Sequence, residues 1–301
     1  RHTRYISVTG VQDVCSSDLA VLKRRKFGQI KFSKKVFNIM LLHYAVTFSR
    51  MKMYYRSMQH KTFDEFWAKF LQVTFHLENP DRWPSRERKA QWLRDYLQLQ
   101  QDSMVLDLGC GDGLIDIWLS RMGMSVTAVD RNDSVLDHAK SEDDTGRVRF
   151  VRSDLRQVRF PASSFDAIFF IETSGLLSKT DDTQLIQNIY KWLKPGGKAI
   201  IDCCKGADAS NRWSKKFSQG EISCEGTFDS STRMQRIEFS FKDNSGETFD
   251  LHDPIRDNKP GISRYLYPQS ELETMMSEQG FSVKTVPHYY QSNYYALVGT
   301  K

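Results

Sequence analysis

Met104-Val-Leu-Asp-Leu-Gly-Cys-Gly-Asp-Gly113 reads as a strand running straight into a glycine turn. Five residues, apolar but for Asp107, have the character of a buried parallel strand, and three glycines at every second position follow at once. Leu114, Ile117, Trp118 and Met122 then recur at helical spacing. Glycine has no Cβ, so its backbone can approach a ligand closely and take positive φ. The helix start beyond it offers N–H groups with no intrahelical acceptor. The dinucleotide pattern Gly-x-Gly-x-x-Gly is not met, because Leu114 follows Gly113. The pattern present is Asp107-x-Gly109-x-Gly111-x-Gly113.

Further strands follow in order. Ser125–Asp130 ends in a carboxylate 17 residues beyond Gly113. A carboxylate at the C-terminal end of a parallel strand can accept both vicinal hydroxyls of a ribose. Residues 135–140 read as a helix and Val148–Asp154 as a third strand, with Ser153-Asp154 at its end. Phe165–Ile171 is almost continuously apolar, as a strand covered on both faces by helices should be. It delivers Glu172 and Thr173 to the ligand-facing edge of such a sheet. A helix over 182–193 carries Leu185, Ile186, Ile189, Tyr190 and Leu193 inward. Leu193-Lys-Pro-Gly-Gly-Lys198 ends it, and Ala199–Cys203 is the fifth strand.

The acid-led glycine turn, Asp130, Ser153-Asp154, Phe165-Asp166 and the Pro-Gly-Gly turn stand in one order from Met104 to Cys203. That series resembles the class I S-adenosylmethionine (SAM)-dependent methyltransferases, and the small-molecule ubiquinone/menaquinone-type group among them. The resemblance implies an α/β fold: a seven-stranded, mostly parallel Rossmann-like sheet with helices on both faces and a reversed strand at its end. It implies SAM as cofactor, held by Asp107, Gly109, Cys110, Gly111, Asp112, Gly113, Asp130, Arg131, Ser153, Asp154, Leu155, Ile171 and Glu172. In that family Asp107 would meet the methionine amino group, often through water. Asp154 would meet the adenine amino group, and Leu155 the adenine face.

After Cys203 the pattern changes. Glu221–Phe228, Arg233–Lys242 and Glu247–Leu251 alternate apolar and polar residues, with Asp243-Asn-Ser-Gly246 as a hairpin turn. This is an antiparallel insertion over the cofactor cleft, at about 205–267, with Arg264–Tyr267 as its last strand. Residues 268–279 form a helix facing inward with Leu272, Met275 and Met276 and stopped by Gly280; 281–290 and 294–300 close the sheet as a hairpin. Acceptor-lining candidates are Arg264, Tyr265, Tyr267 and Tyr289, and His252, His288 and Glu172 are candidates for a general base. No catalytic base stands out among them. The exit of the fourth strand, Ile171-Glu-Thr-Ser174, is not the Asn/Asp-Pro-Pro-Tyr of amino-directed nucleic-acid and protein enzymes. No acidic metal triad is evident, so no metal is expected.

Ahead of the glycine turn, Thr62-Phe-Asp-Glu65 reads as a capping box opening a helix, with Asn79-Pro80 and Trp83-Pro84 as breaks. A second helix over 85–99 carries Ala90, Leu93 and Leu97 on one face. In the family resembled, N-terminal helices commonly lie over the cofactor mouth, which would let Trp67, Arg82 and Trp83 touch ligand, although packing is the plainer role. Residues 1–19 resemble the translation of a sequencing-library adapter, which points to a gene recovered by bulk, metagenomic sequencing. Residues 20–50, with eight Lys or Arg and no acid, read as a basic leader outside the fold; the methyltransferase domain is expected over 51–301.

Those first fifty residues hold ten of the 43 Lys and Arg but two of the 37 Asp and Glu, so the remainder carries a net charge of −2. A nucleic-acid partner therefore loses its electrostatic basis. The apolar run Val36–Phe48 is 13 residues, too short to span a bilayer. No cysteine spacing suggests zinc or a disulfide framework, and a reducing, cytoplasmic setting is expected. The expected function is in-line methyl transfer from SAM to a small-molecule acceptor. Alternatives are a tRNA- or protein-directed enzyme and a non-catalytic SAM-binding protein. Acceptor, methylated atom and oligomeric state stay open.

Overall fold

The computed structural model describes residues 82–206, 212–217, 220–250, 261–286 and 294–301. The leader, the capping box, Trp67, His252, His288 and Tyr289 lie outside them. Among the described residues no helix is long and apolar enough to cross a membrane.

The main sheet has seven strands in the order β11-β12-β5-β4-β1-β2-β3. They are β1 Met104–Leu108, β2 Ser125–Asp130, β3 Arg149–Arg152, β4 Phe165–Phe170, β5 Leu193–Cys204, β11 Ser282–Val286 and β12 Tyr294–Thr300. The first five pair in parallel, β12 runs antiparallel to β5, and β11 antiparallel to β12. Period-two alternation sorts the core. Val105, Ala167, Phe169 and Ile200 face α1 (Arg82–Leu97) and α2 (Leu114–Arg121), packing on Ala90, Leu93 and Ile117. Leu106, Ile168, Phe170 and Ile201 face α4 (Lys179–Trp192) and α5 (Gln269–Ser277), packing on Leu185, Ile189, Leu272 and Met276. Both faces being covered is why β4 reads as an unbroken apolar run. The remaining helix, α3 (Asp133–Glu142), is capped by the Asn132 side chain, which accepts the Val135 N–H at 3.3 Å.

Among the boundaries that differ from the sequence reading, such as the last insertion strand at Ile262–Tyr265 rather than 264–267, two have a plain backbone reason. Pro84 lies inside the first turn of α1 rather than breaking the chain, since the N–H it lacks would have had no helical acceptor there. Leu193 opens β5 instead of closing α4. It pairs with Phe165, and the register then jumps so that Lys198 pairs with Ala167. The intervening Pro195-Gly-Gly bulges from the ladder, which suits a residue with no N–H to give.

The insertion forms a second, antiparallel sheet, β10-β8-β7-β6, with β9 also paired to β8. Its strands are β6 Arg212–Phe217, β7 Gly220–Asp229, β8 Met234–Asp243, β9 Thr248–Asp250 and β10 Ile262–Tyr265. β6, rich in Lys and Arg, carried no apolar alternation that would have marked it in the sequence. The turn at Asp243–Gly246 is as expected: the Asp243 N–H donates to the Glu247 carbonyl at 3.0 Å, and the Gly246 N–H to the Asp243 carbonyl at 3.0 Å.

Candidate functional site

A cavity of about 600 Å³ opens at the C-terminal ends of the parallel strands. Its floor is the glycine turn, with Asp107, Gly109, Cys110, Gly111 and Asp112; its sides carry Asp130, Arg131, Asp154, Leu155, Ile171 and Glu172. β8 and β10 cover it with Ile237, Phe239, Ile262 and Arg264. Thus residues from Asp107 to Glu172 converge because every parallel strand points its C-terminal end the same way, and the inserted sheet adds its own from above.

The turn has room for a ligand where it is needed. Gly111 stands at φ +54°, and a Cβ built there meets nothing within 4 Å. Gly113 is different and lies outside the cavity lining. A Cβ on it would stand 2.8 Å from the Ala139 Cβ and 2.8 Å from the Phe150 ring, so its smallness serves packing between α3 and β3. Asp130 Oδ2 accepts the Gly111 N–H at 3.2 Å and Oδ1 the Asn132 N–H at 3.0 Å. The carboxylate keeps acceptor capacity toward the cavity, which fits a ribose hydroxyl. Burial lifts this carboxyl above the usual range, against those N–H donors.

Under the turn sits an acid cluster. Burial pushes Asp107 up to about 7; the Lys89 ammonium and the neighbouring Asp116 carboxyl work against burial, while Asp130 and Asp112 add to it. Asp116, fully buried in the first turn of α2, is raised well above the carboxylate range by burial, then by Asp107 and Asp112. Burial and the same four acids raise the Cys110 thiol, so it is not a nucleophile. Lys89 Nζ reaches Glu172 Oε1 at 3.2 Å, and Arg86 reaches Asp112 at 3.5 Å. Glu172 holds φ +59°, uncommon for a residue with a Cβ, and its N–H donates to Asp202 Oδ1 at 2.6 Å.

Other expected residues fall less simply. Asp154 lines the cavity, but its two oxygens are held by the Arg156 guanidinium, which keeps its carboxyl below the usual range. Ser153 is half-buried beside it and off the lining; its hydroxyl donates to the Asp154 carbonyl at 3.1 Å. Among the acceptor candidates, Arg264 is in the cavity wall. Tyr265 and Tyr267 are not: alternation along β10 turns Tyr265 away, to donate its hydroxyl to Glu271 at 3.0 Å. Tyr267 is buried in the core and donates to Asp182 Oδ2 at 2.9 Å. Lys89, Arg86, Asp116, Asn132, Ile237, Phe239 and Ile262 were not singled out from sequence. One signal was present, for Lys89 lies four residues before Leu93 on the buried stripe of α1, where a lysine is out of place.

Residues 105–197 match the family described as a methyltransferase domain. The chain is 34% identical over 106 residues to cypemycin N-terminal methyltransferase of a Streptomyces species, a match covering 35% of this chain and 43% of that protein. It is 24% identical over 200 residues to the putative methyltransferase YqeM of Bacillus subtilis, covering 62% of this chain and 77% of that one. The SAM-bound amino pentose methyltransferase CalS10 from Micromonospora echinaspora shares the fold, with a TM-score of 0.56, 17% identity, and coverage of 75% of this chain and 99% of that one. The chain spans less than half the length of the cypemycin relative and about a quarter of a phosphoethanolamine N-methyltransferase from Arabidopsis thaliana. Taken with the sheet order and the glycine turn, residues 105–197 form a methyltransferase domain, in a fold shared with SAM-bound CalS10.

Proposed function

We propose that the protein transfers a methyl group from SAM to a small-molecule acceptor. One observation carries this reading: the glycine turn and the apolar residues of β8 and β10 wall a single cavity of about 600 Å³. That volume is of the size that holds small ligands, and it extends beyond the glycine turn to the inserted sheet. Three of the four sheet residues that line it, Ile237, Phe239 and Ile262, are apolar. They suit a compact acceptor better than a phosphate backbone.

SAM supplies a methyl group already activated on a sulfonium. The chain's own work is placement. Gly111 leaves the floor open, Asp130 offers acceptors for the ribose, and Leu155 and Ile171 give apolar surface beside it. β8 and β10 hold water away from the acceptor end, so that attack in line with the methyl group becomes an oriented, effectively unimolecular event. Glu172, beside the cavity and paired with Lys89, is the described residue placed to take a proton from an acceptor.

The test is calorimetric titration of SAM, and separately NADH, into the full chain, followed by labelled methyl transfer to small amines, hydroxy acids and phenols beside bulk tRNA and protein. Micromolar SAM binding without NADH binding, with label on a small molecule, is the expected result. Label on tRNA or protein would replace the acceptor assignment; absence of SAM binding would overturn the reading.

A further inference from the structure

Arg264 is the charged residue that the inserted sheet presents to the cavity. Among the described residues of that sheet, Ile237, Phe239, Ile262 and Arg264 line it, and the first three are apolar. Arg264 is 9% exposed. Its Nε donates to Gln235 Oε1 at 2.6 Å and its Nη2 to the Tyr294 hydroxyl at 3.0 Å. Both partners are neutral, and no Asp or Glu forms an ion pair with Arg264 among the described residues.

A guanidinium has five N–H donors and does not shed its proton at any ordinary pH. Two donors are accounted for, so three remain on a buried cation beside the apolar wall that Ile237, Phe239 and Ile262 form. Burying a charge without a counter-charge is unfavourable unless a ligand supplies one. The fork is also held ready. Arg264 sits directly opposite Gln235 in the β10–β8 ladder, so Gln235 orients the guanidinium edge before any ligand arrives, and Tyr294 holds it from β12. The planar fork matches a carboxylate or phosphate through two parallel hydrogen bonds.

We propose that the acceptor carries an anionic group, carboxylate or phosphate, on an apolar body, and that Arg264 binds that group while Ile237, Phe239 and Ile262 pack on the body. This rests on the methyltransferase reading and narrows its acceptor class. Arg264 is then the residue that sets acceptor specificity, selecting anions over neutral compounds of the same shape.

The experiment titrates the full chain, saturated with S-adenosylhomocysteine, with benzoate, phenyl phosphate and benzamide by calorimetry. One anion should bind at least about tenfold more tightly than benzamide, and the better of the two names the group. Arg264→Gln should abolish that preference, and Arg264→Lys, which keeps the charge but loses the fork, should retain only part of it. Titration of S-adenosylhomocysteine into each variant reports whether the cofactor half is intact. Equal binding of benzamide, no binding of either anion, or a preference that survives in Arg264→Gln with normal cofactor affinity overturns the proposal. Should Arg264→Gln fail to fold, an undiminished preference in Arg264→Lys overturns it instead. Failure of the wild-type chain to bind S-adenosylhomocysteine overturns the methyltransferase reading separately, and the same titrations without cofactor still read the anion preference.

Discussion

Asp107, near the end of β1, and Asp116, in the first turn of α2, are neighbouring buried carboxyls beneath the glycine turn, and burial raises both above the carboxylate range. Asp116 is completely buried and neither of its side-chain oxygens has a hydrogen-bond partner, which favours its uncharged form. Lys89 is the nearby cation, and it draws Asp107 back down.

This arrangement sets a pH dependence of stability. Asp107 is raised in the folded protein to about 7 from 3.8, and Asp116 is raised further. Between about pH 4 and 7 the folded chain therefore holds protons that the unfolded chain has released, and its stability falls as pH rises through that window. Asp116→Asn replaces the buried acid by a neutral amide of nearly the same shape and so removes the proton that Asp116 has to keep. Its melting temperature relative to wild type should climb from pH 5 to pH 8. The underlying slope is at most about 1.4 kcal/mol per pH unit for each proton. A difference that stays flat across that range would refute a buried, protonated Asp116.

Asp130→Ala removes the acceptor pair facing the proposed ribose position. SAM affinity should fall by about 1.5–3 kcal/mol, the scale of a hydrogen bond to a charged group. Calorimetry reads this directly, and an unchanged dissociation constant rules out the ribose role.

Gly111 and Gly113 should separate binding from folding. Gly111→Ala meets open space, so its stability loss is the left-handed backbone strain alone, about 1–2 kcal/mol. Its methyl group enters the cavity, and SAM affinity should drop. Gly113→Ala drives a methyl group into Ala139 and Phe150, adding roughly 1–3 kcal/mol of overpacking to the same strain. Thermal melts with and without SAM distinguish the two; equal melting temperatures would contradict the packing role of Gly113.

Tyr267→Phe tests the removal of Tyr267 from the acceptor pocket. It deletes the hydroxyl that donates to Asp182, leaving a buried carboxylate oxygen short of one donor, and should destabilise by about 1–3 kcal/mol. SAM affinity should not change, and neither should the KM for any acceptor found. A raised KM at unchanged stability would return Tyr267 to the pocket.

The parts legible in the sequence were those governed by local rules. The apolar runs of β1 and β4 follow from cover on both faces, and the helical stripe of α4 and the Leu272-Met275-Met276 face of α5 report a period set by the backbone itself. The turn at Asp243–Gly246 follows from residue chemistry alone, and strand ends place Asp130 and Glu172 on the ligand side of any parallel sheet. β6 was not legible, because its six residues lie on a path where pairing with β7, not apolar patterning, makes the strand. Pro84 and Leu193 misled at boundaries, since the first turn of a helix tolerates proline and a bulge absorbs Pro-Gly-Gly.

The sequence by itself determined a strand–glycine turn–helix floor, an acid at the end of the second strand and a doubly covered parallel sheet, because each depends on contacts within a few residues. Only the tertiary structure decided which side chains share the cavity. Lys89 beside Glu172, Asp116 against Asp107, and Arg264 rather than Tyr265 or Tyr267 facing inward are set by helix placement and strand register between segments up to 83 residues apart. A one-residue slip between β8 and β10 would turn Arg264 out and Tyr265 in. Burial then gives these groups their chemistry, since charge and protonation respond to the water that the fold excludes.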